Sequence, residues 1–133
     1  MKLINKNTDY AVQALFYISQ KTPNIISTVE VEKQLNLPRP FIRKILQNLT
    51  KAGYLSSSKG SGGGFTIARP LDDIYLLDLM QLFQGRLAFT DCSFQKKVCP
   101  NAGHCPLRRR IKTIEDTVLH ELKGVSLAEL TKK

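Results

Sequence analysis

The sequence predicts a mainly α-helical fold with one small β-hairpin, arranged as a winged helix-turn-helix followed by a long C-terminal dimerisation helix. Three amphipathic stretches lie between residues 9 and 53, separated only by short connections. Two β-type segments flank a glycine run directly after the third stretch, as in a hairpin. Near the C-terminus Ile111, Ile114, Val118 and Leu122 recur at spacings of 3, 4 and 4, the period of helix pairing. The chain has 133 residues, 42% apolar and 23% charged, a balance that excludes wholesale disorder and fits one compact unit. Its expected division is a winged helix-turn-helix part over 1–85, a cysteine loop over 86–107, and a dimerisation helix with its tail over 108–133.

The first helix is expected from Asp9 to about Gln20, capped by Asn7 or Thr8, with Ala11, Ala14, Leu15 and Ile18 on its buried face. Asp9 suits the positive start of that helix. Ser27 followed by Glu30 is a capping-box pattern that opens a second helix of about two turns, carrying Val31 and Leu35 before Asn36 and Leu37 end it. A third helix begins near Arg39, tolerates Pro40 in its first turn, buries Ile42, Ile45, Leu46 and Leu49, and stops at Gly53.

The other face of the third helix carries Arg39, Arg43, Lys44 and Gln47, and no acid occurs between Arg39 and Gly53. A solvated face usually alternates acids with bases, so this one reads as a nucleic-acid surface. Arginine forks onto guanine, glutamine pairs with adenine, and lysine suits phosphate. The hairpin that follows, with Lys59 and Gly60 at its turn, becomes a wing able to approach the DNA backbone or minor groove. Its glycines are not a nucleotide loop, because the terminal Gly-Lys-Ser/Thr of a P-loop and the spacing of a dinucleotide fingerprint are both missing.

Charge agrees with that reading. Twenty Lys and Arg against eleven Asp and Glu leave a net charge of +9, and residues 1–64 hold +6 of it. Such an excess points to a polyanionic partner such as nucleic acid, or to an anionic membrane surface, and the face of the third helix makes double-stranded DNA the expected partner. No apolar run reaches the roughly 18 residues of a membrane span and the first ten residues are polar, so no membrane association and a cytoplasmic location are expected. No arrangement of nucleophile and base emerges, and no enzymatic activity is expected.

In the second half, Leu76 to Phe83 read as a short apolar core helix ending at Gly85. Between it and the long helix, expected from Arg108 to Lys123, the cysteines Cys92, Cys99 and Cys105 follow a C-x6-C-x5-C spacing. Thiolates on a loop can converge on one metal centre, and Arg108, Arg109 and Arg110 would help to hold them deprotonated. Zinc sites normally use C-x2–4-C pairs, which favours an iron-sulfur cluster over structural zinc. A metal-free thiol sensor, a zinc-stabilised regulator and an iron-sulfur carrier without DNA binding are the alternatives. His104 ranks below the cysteines as a ligand because it adjoins Cys105, and His120 reads as a surface or interface residue. The long helix can pair with a second copy or pack on its own domain.

Taken together, NTDYAVQALFYIS, FIRKILQNLTKAGYLSSSKGSGGGFTIARP, the cysteine loop and the closing VSLAEL resemble the Rrf family of bacterial winged-helix transcription regulators. The resemblance covers nearly the whole chain. It implies a homodimer crossing at the long helices, winged helices in the major groove, and control of operator affinity, most often repression, by a 4Fe-4S or 2Fe-2S cluster sensing nitric oxide, iron or redox state. It also implies Cys92, Cys99 and Cys105 as cluster ligands. One branch of the family has a histidine three residues beyond the last cysteine, where Arg108 stands here. Another takes an aspartate near the start of the first helix, a position that Asp9 matches.

Overall fold

The computed structural model of the chain describes residues 2–90, 100 and 104–131. Helices α1 (Lys6–Lys21), α2 (Thr28–Leu35) and α3 (Arg39–Lys51) precede strands β1 (Leu55–Ser58) and β2 (Gly64–Ile67). Then come a short 3-10 turn at Leu71–Asp73, α4 (Leu76–Gln84), α5 (Pro106–Lys123) and α6 (Leu127–Thr131). The architecture is the expected one, mostly helical with a two-stranded antiparallel hairpin. No helix among the described residues is long and apolar enough to cross a membrane.

Helix α1 starts three residues earlier than its sequence pattern indicates, because Asn5 is the cap, not Asn7 or Thr8. Asn5 Oδ1 accepts the Thr8 N–H at 2.9 Å and also lies 3.1 Å from the Thr8 hydroxyl. That hydroxyl is fully buried and donates to Gln84 Oε1 at 2.7 Å, at the far end of α4. Asn5 N–H donates to the same oxygen at 2.9 Å, and Gln84 Nε2 donates to the Leu3 carbonyl at 3.0 Å. The amide of Gln84 therefore bolts the start of α1 to the end of α4.

Ala11, Ala14, Leu15 and Ile18 have no exposed surface, and they share one core with Ile42, Ile45, Leu46 and Leu49 of α3. Each large aliphatic side chain buried there is worth about 1.5–3 kcal/mol relative to exposure. Leu127 of α6, also fully buried, belongs to this core, so the C-terminal tail returns to the N-terminal helices. Its backbone N–H donates to the Ile74 carbonyl at 2.8 Å. The Ser126–Glu129 pair caps α6 as Ser27–Glu30 caps α2, each serine oxygen accepting the backbone N–H three residues on. A second, smaller core joins Leu76, Leu77 and Met80 of α4 to Leu122 of α5.

The hairpin pairs Leu55 with Ile67 and Ser58 with Gly64, and Gly60 and Gly62 turn its tip at φ +92° and +77°. The wing is also held from outside. Ile26, just before α2, exchanges two backbone hydrogen bonds with Phe65, at 2.8 and 3.0 Å. This close approach makes Gly64 indispensable, since a Cβ there would run into the Ile26 carbonyl. Gly64→Ala is expected to cost about 1–3 kcal/mol, typical of forced overpacking, and thermal unfolding followed by circular dichroism should show the lowered Tm.

Candidate nucleic-acid interface and cysteine site

Helix α3 divides sharply. Ile42, Ile45, Leu46 and Leu49 are at most 3% exposed, whereas Arg39, Arg43, Lys44 and Gln47 all face solvent. These four side chains and Pro40 line one shallow groove on the outer face. The arrangement follows from the local sequence: a 3.6-residue period places apolar positions 42, 45, 46 and 49 on one stripe and the cations opposite. The start of α3 has Pro38 at the cap with no side-chain acceptor, and no acid in its first turn. The positive end of the helix and the cationic face therefore add, and the surface attracts an anion.

One acid reaches this face from another helix. Glu32 Oε2 of α2 accepts from Arg39 Nε at 2.9 Å. Helix α3 itself lacks acids, and this partner lies seven residues back, across the turn. As a stabilising contact the pair is minor, at most about 1 kcal/mol for an ion pair this exposed. The turn is closed by Asn36 in the left-handed region, φ 53° and ψ 49°.

Lys59 and Gly60 sit exposed at the tip of the wing. The root of the wing is well packed: Tyr54 is 7% exposed, and the Arg69 guanidinium lies 5.3 Å over its ring. Burial raises the Tyr54 hydroxyl above its usual pKa, Asp78 adds to the rise and Arg69 opposes it. The wing tip and the α3 face are the two cationic surfaces that the sequence singled out, and each is open to a ligand.

Of the expected metal ligands, Asp9 and Cys105 lie within the described residues, and Cys92 and Cys99 fall outside them. Asp9 is exposed in the first turn of α1, next to the buried Thr8. Its other neighbour, Tyr10, meets Phe41 of α3 edge to face, with ring centroids 5.8 Å apart. Cys105 caps α5, half-buried, and its sulfur accepts the Arg108 N–H at 3.5 Å. The helix thus begins at Pro106, two residues before the expected start at Arg108, because the sulfur serves as the cap and Pro106 suits the first helical position. Among the described residues no three His, Cys, Asp or Glu side chains converge as a metal site.

Glu115 was missed by sequence reading. It is 3% exposed on α5, accepts the Phe89 N–H at 3.1 Å and receives Lys112 Nζ at 3.4 Å. Hydrogen bonds to Asp116 and Glu115 raise the Lys112 pKa. An acid at helical spacing from Lys112 reads as a solvated ion pair, and only the fold shows that Phe89 lies above it. The 3, 4, 4 seam of α5 is also divided. Leu122 is buried and Val118 packs on α4, while Leu107 is 69% and Ile114 42% exposed.

Comparison with known proteins agrees with this geometry. Residues 4–133 match the Rrf2 family, described as iron-dependent transcriptional regulators. A protein of Aquifex aeolicus (strain VF5), named as an HTH-type transcriptional regulator, is 27% identical over 123 residues, covering 91% of this chain and 85% of that protein. Protein aau3 of Rhizobium meliloti (strain 1021) is 27% identical over 130 residues, 97% of this chain and 84% of its own length. Among solved structures, T. potens IscR superposes with a TM-score of 0.73 at 22% identity, over 98% of this chain and 85% of that one. The oxidized form of Staphylococcus aureus CymR does so with a TM-score of 0.74 at 20% identity, over 100% and 98%.

Proposed function

Because the chain belongs to the Rrf2 family of transcriptional regulators, DNA-binding proteins and not enzymes, we propose that it is a cytoplasmic repressor whose hold on its operator is set by an iron-sulfur cluster. The cationic face of α3, presented opposite its buried stripe, is the observation that carries the DNA part of this reading. Arg43 and Gln47 are assigned to base edges, and Lys44, Lys59 and the Gly60 backbone to phosphates or the minor groove. Two copies paired through α5 would place two α3 helices on successive turns of the duplex. The exposed Leu107 and Ile114 support that pairing.

Cys92, Cys99 and Cys105 are assigned as cluster ligands, with Asp9 as the fourth. The donor chemistry at Cys105 fits: its sulfur sits half-buried at a helix start, where negative charge is favoured, and already accepts a backbone N–H. When bound, such a cluster supplies iron that responds to nitric oxide, to iron supply and to redox state. The turn that holds Asp9 touches both ends of the regulator. Thr8 is bonded to Gln84 of α4, and Tyr10 meets Phe41 edge to face in the first turn of α3. A pull on Asp9 would therefore be felt at the helix assigned to DNA.

Three measurements check this reading. Using the duplex that the wild-type chain selects from a randomised pool, Arg43→Ala should lose roughly 1–3 kcal/mol of discrimination against random DNA. Lys59→Ala should weaken both alike and reduce the salt slope by about 0.9, one phosphate contact. Unchanged affinity in both variants would remove α3 and the wing from the interface.

If α5 pairs two copies, Ile114→Asp would bury an unpaired charge in each protomer, and sedimentation should show monomers with DNA binding lost. A variant that remains dimeric would move the interface elsewhere.

Anaerobically reconstituted wild-type protein should be brown, with an altered visible spectrum and DNA response in Asp9→Ala and neither change in His104→Ala. The reverse pattern would assign the fourth ligand to the histidine. A colourless protein containing zinc, or one responding only to thiol oxidation, would replace the cluster with a structural metal or a thiol sensor.

A further inference from the structure

We propose that Glu32 is a specificity-determining residue for DNA, positioning Arg39 to read a guanine edge and not to hold a phosphate. This rests on α3 being the DNA-reading helix. The backbone carbonyl of Glu32 accepts the N–H of Asn36, which caps α2, and that of Leu37 at 3.3 Å. The residue is thus fixed to the turn between the two helices before its side chain makes any contact. From that fixed point Oε2 takes Arg39 Nε at 2.9 Å. The Glu32 side chain is 29% exposed and that of Arg39 53%, so the carboxylate lies at the root of the guanidinium and the guanidinium extends past it. With Nε engaged, the two Nη groups form a forward edge able to donate two parallel hydrogen bonds. Guanine offers the matching pair of acceptors, O6 and N7, in the major groove.

Charge separates the two roles. Arg39 is the first residue of α3, where a cation gains nothing from the helix dipole. A carboxylate at 2.9 Å cancels most of its field beyond the pair. A phosphate contact needs charge and accepts many geometries, whereas a base contact needs direction. Glu32 removes the first property and supplies the second. Among the described residues Lys44 and Lys59 form no ion pair, and their charge remains available to the DNA backbone. Glu32 also brings a negative charge to the rim of the groove, which weakens binding to any duplex that offers Arg39 no base partner.

The test uses the full chain and two probes, the duplex selected by the wild-type protein from a randomised pool and the unselected pool. Binding is followed by fluorescence anisotropy over a salt series. Glu32→Ala should bind the unselected pool more tightly, steepen the salt slope by about 0.9 as Arg39 turns to a phosphate, and lower the selected-to-random ratio about tenfold. Selection repeated with Glu32→Ala should lose a guanine preference that Glu32→Gln keeps, because the glutamine oxygen still accepts from Nε. Thermal unfolding should be nearly unchanged in both. If Glu32→Ala alters neither ratio nor slope, or weakens both probes in parallel, the proposal is overturned. Arg43→Ala separates this failure from a deeper one. If it costs affinity while Glu32→Ala leaves the ratio intact, only the role of Glu32 falls. If it too has no effect, α3 is not the reading helix and both fall.

Discussion

The close packing of α1 is the constraint on which the rest of the structure depends. Ala11 and Ala14 present no bulk beyond a methyl group, and both are completely buried together with Leu15 and Ile18. Small side chains let neighbouring backbones approach, and α2, α3, α4, α6 and β2 all pack against this one helix. The cationic face of α3 is therefore not an independent feature. Its cations face outward because its aliphatic stripe is held on α1, and the wing keeps its angle because β2 is tied to the same post and to Ile26.

Much of this was legible in the sequence where the signal is local. The periods of Ala11, Ala14, Leu15 and Ile18, and of Ile42, Ile45, Leu46 and Leu49, are properties of a single helix, and every one of these residues is buried. The Ser27 cap and the Gly53 stop are local in the same sense. Helix α6 carried a readable signal as well, the Ser126–Glu129 spacing, which repeats the logic of Ser27–Glu30. It was missed because a helix of five residues leaves no period to detect.

The features that sequence could not supply are polar contacts between distant residues. Gln84 and Thr8 are 76 positions apart, and Phe89 and Glu115 are 26 apart. Hydrophobic burial leaves a periodic trace because many residues share it. A single hydrogen bond leaves none, since glutamine or glutamate on a helix looks the same whether it faces water or a backbone N–H. This also explains the mistaken cap of α1. Thr8 is a good cap by type, yet its hydroxyl is more useful inward, so Asn5 takes the helix end. The reading of α3 as free of acids holds for the helix itself, and the Glu32 contact with Arg39 escaped it in the same way, coming from a residue seven positions away on α2.

These polar contacts also tie the second half of the chain to the first. Up to Gln84 the chain is rigidly joined to α1, by an amide whose donor and acceptor are both used. Gly85 then leaves the helix at φ +78°, a conformation that side chains rarely adopt. The chain is caught again at Phe89 by Glu115, and at Cys105 by the first turn of α5. Both limbs of the cysteine segment are therefore anchored to α5, which is anchored to α4 through Leu122. A buried carboxylate that satisfies a backbone N–H is costly to separate from it. Two chains of contacts lead away from these anchors, one through α5 to its exposed apolar face and one through α4 and Gln84 to the first turn of α1. The second route ends at Tyr10 and Phe41, one turn from the groove formed by Arg39, Arg43, Lys44 and Gln47.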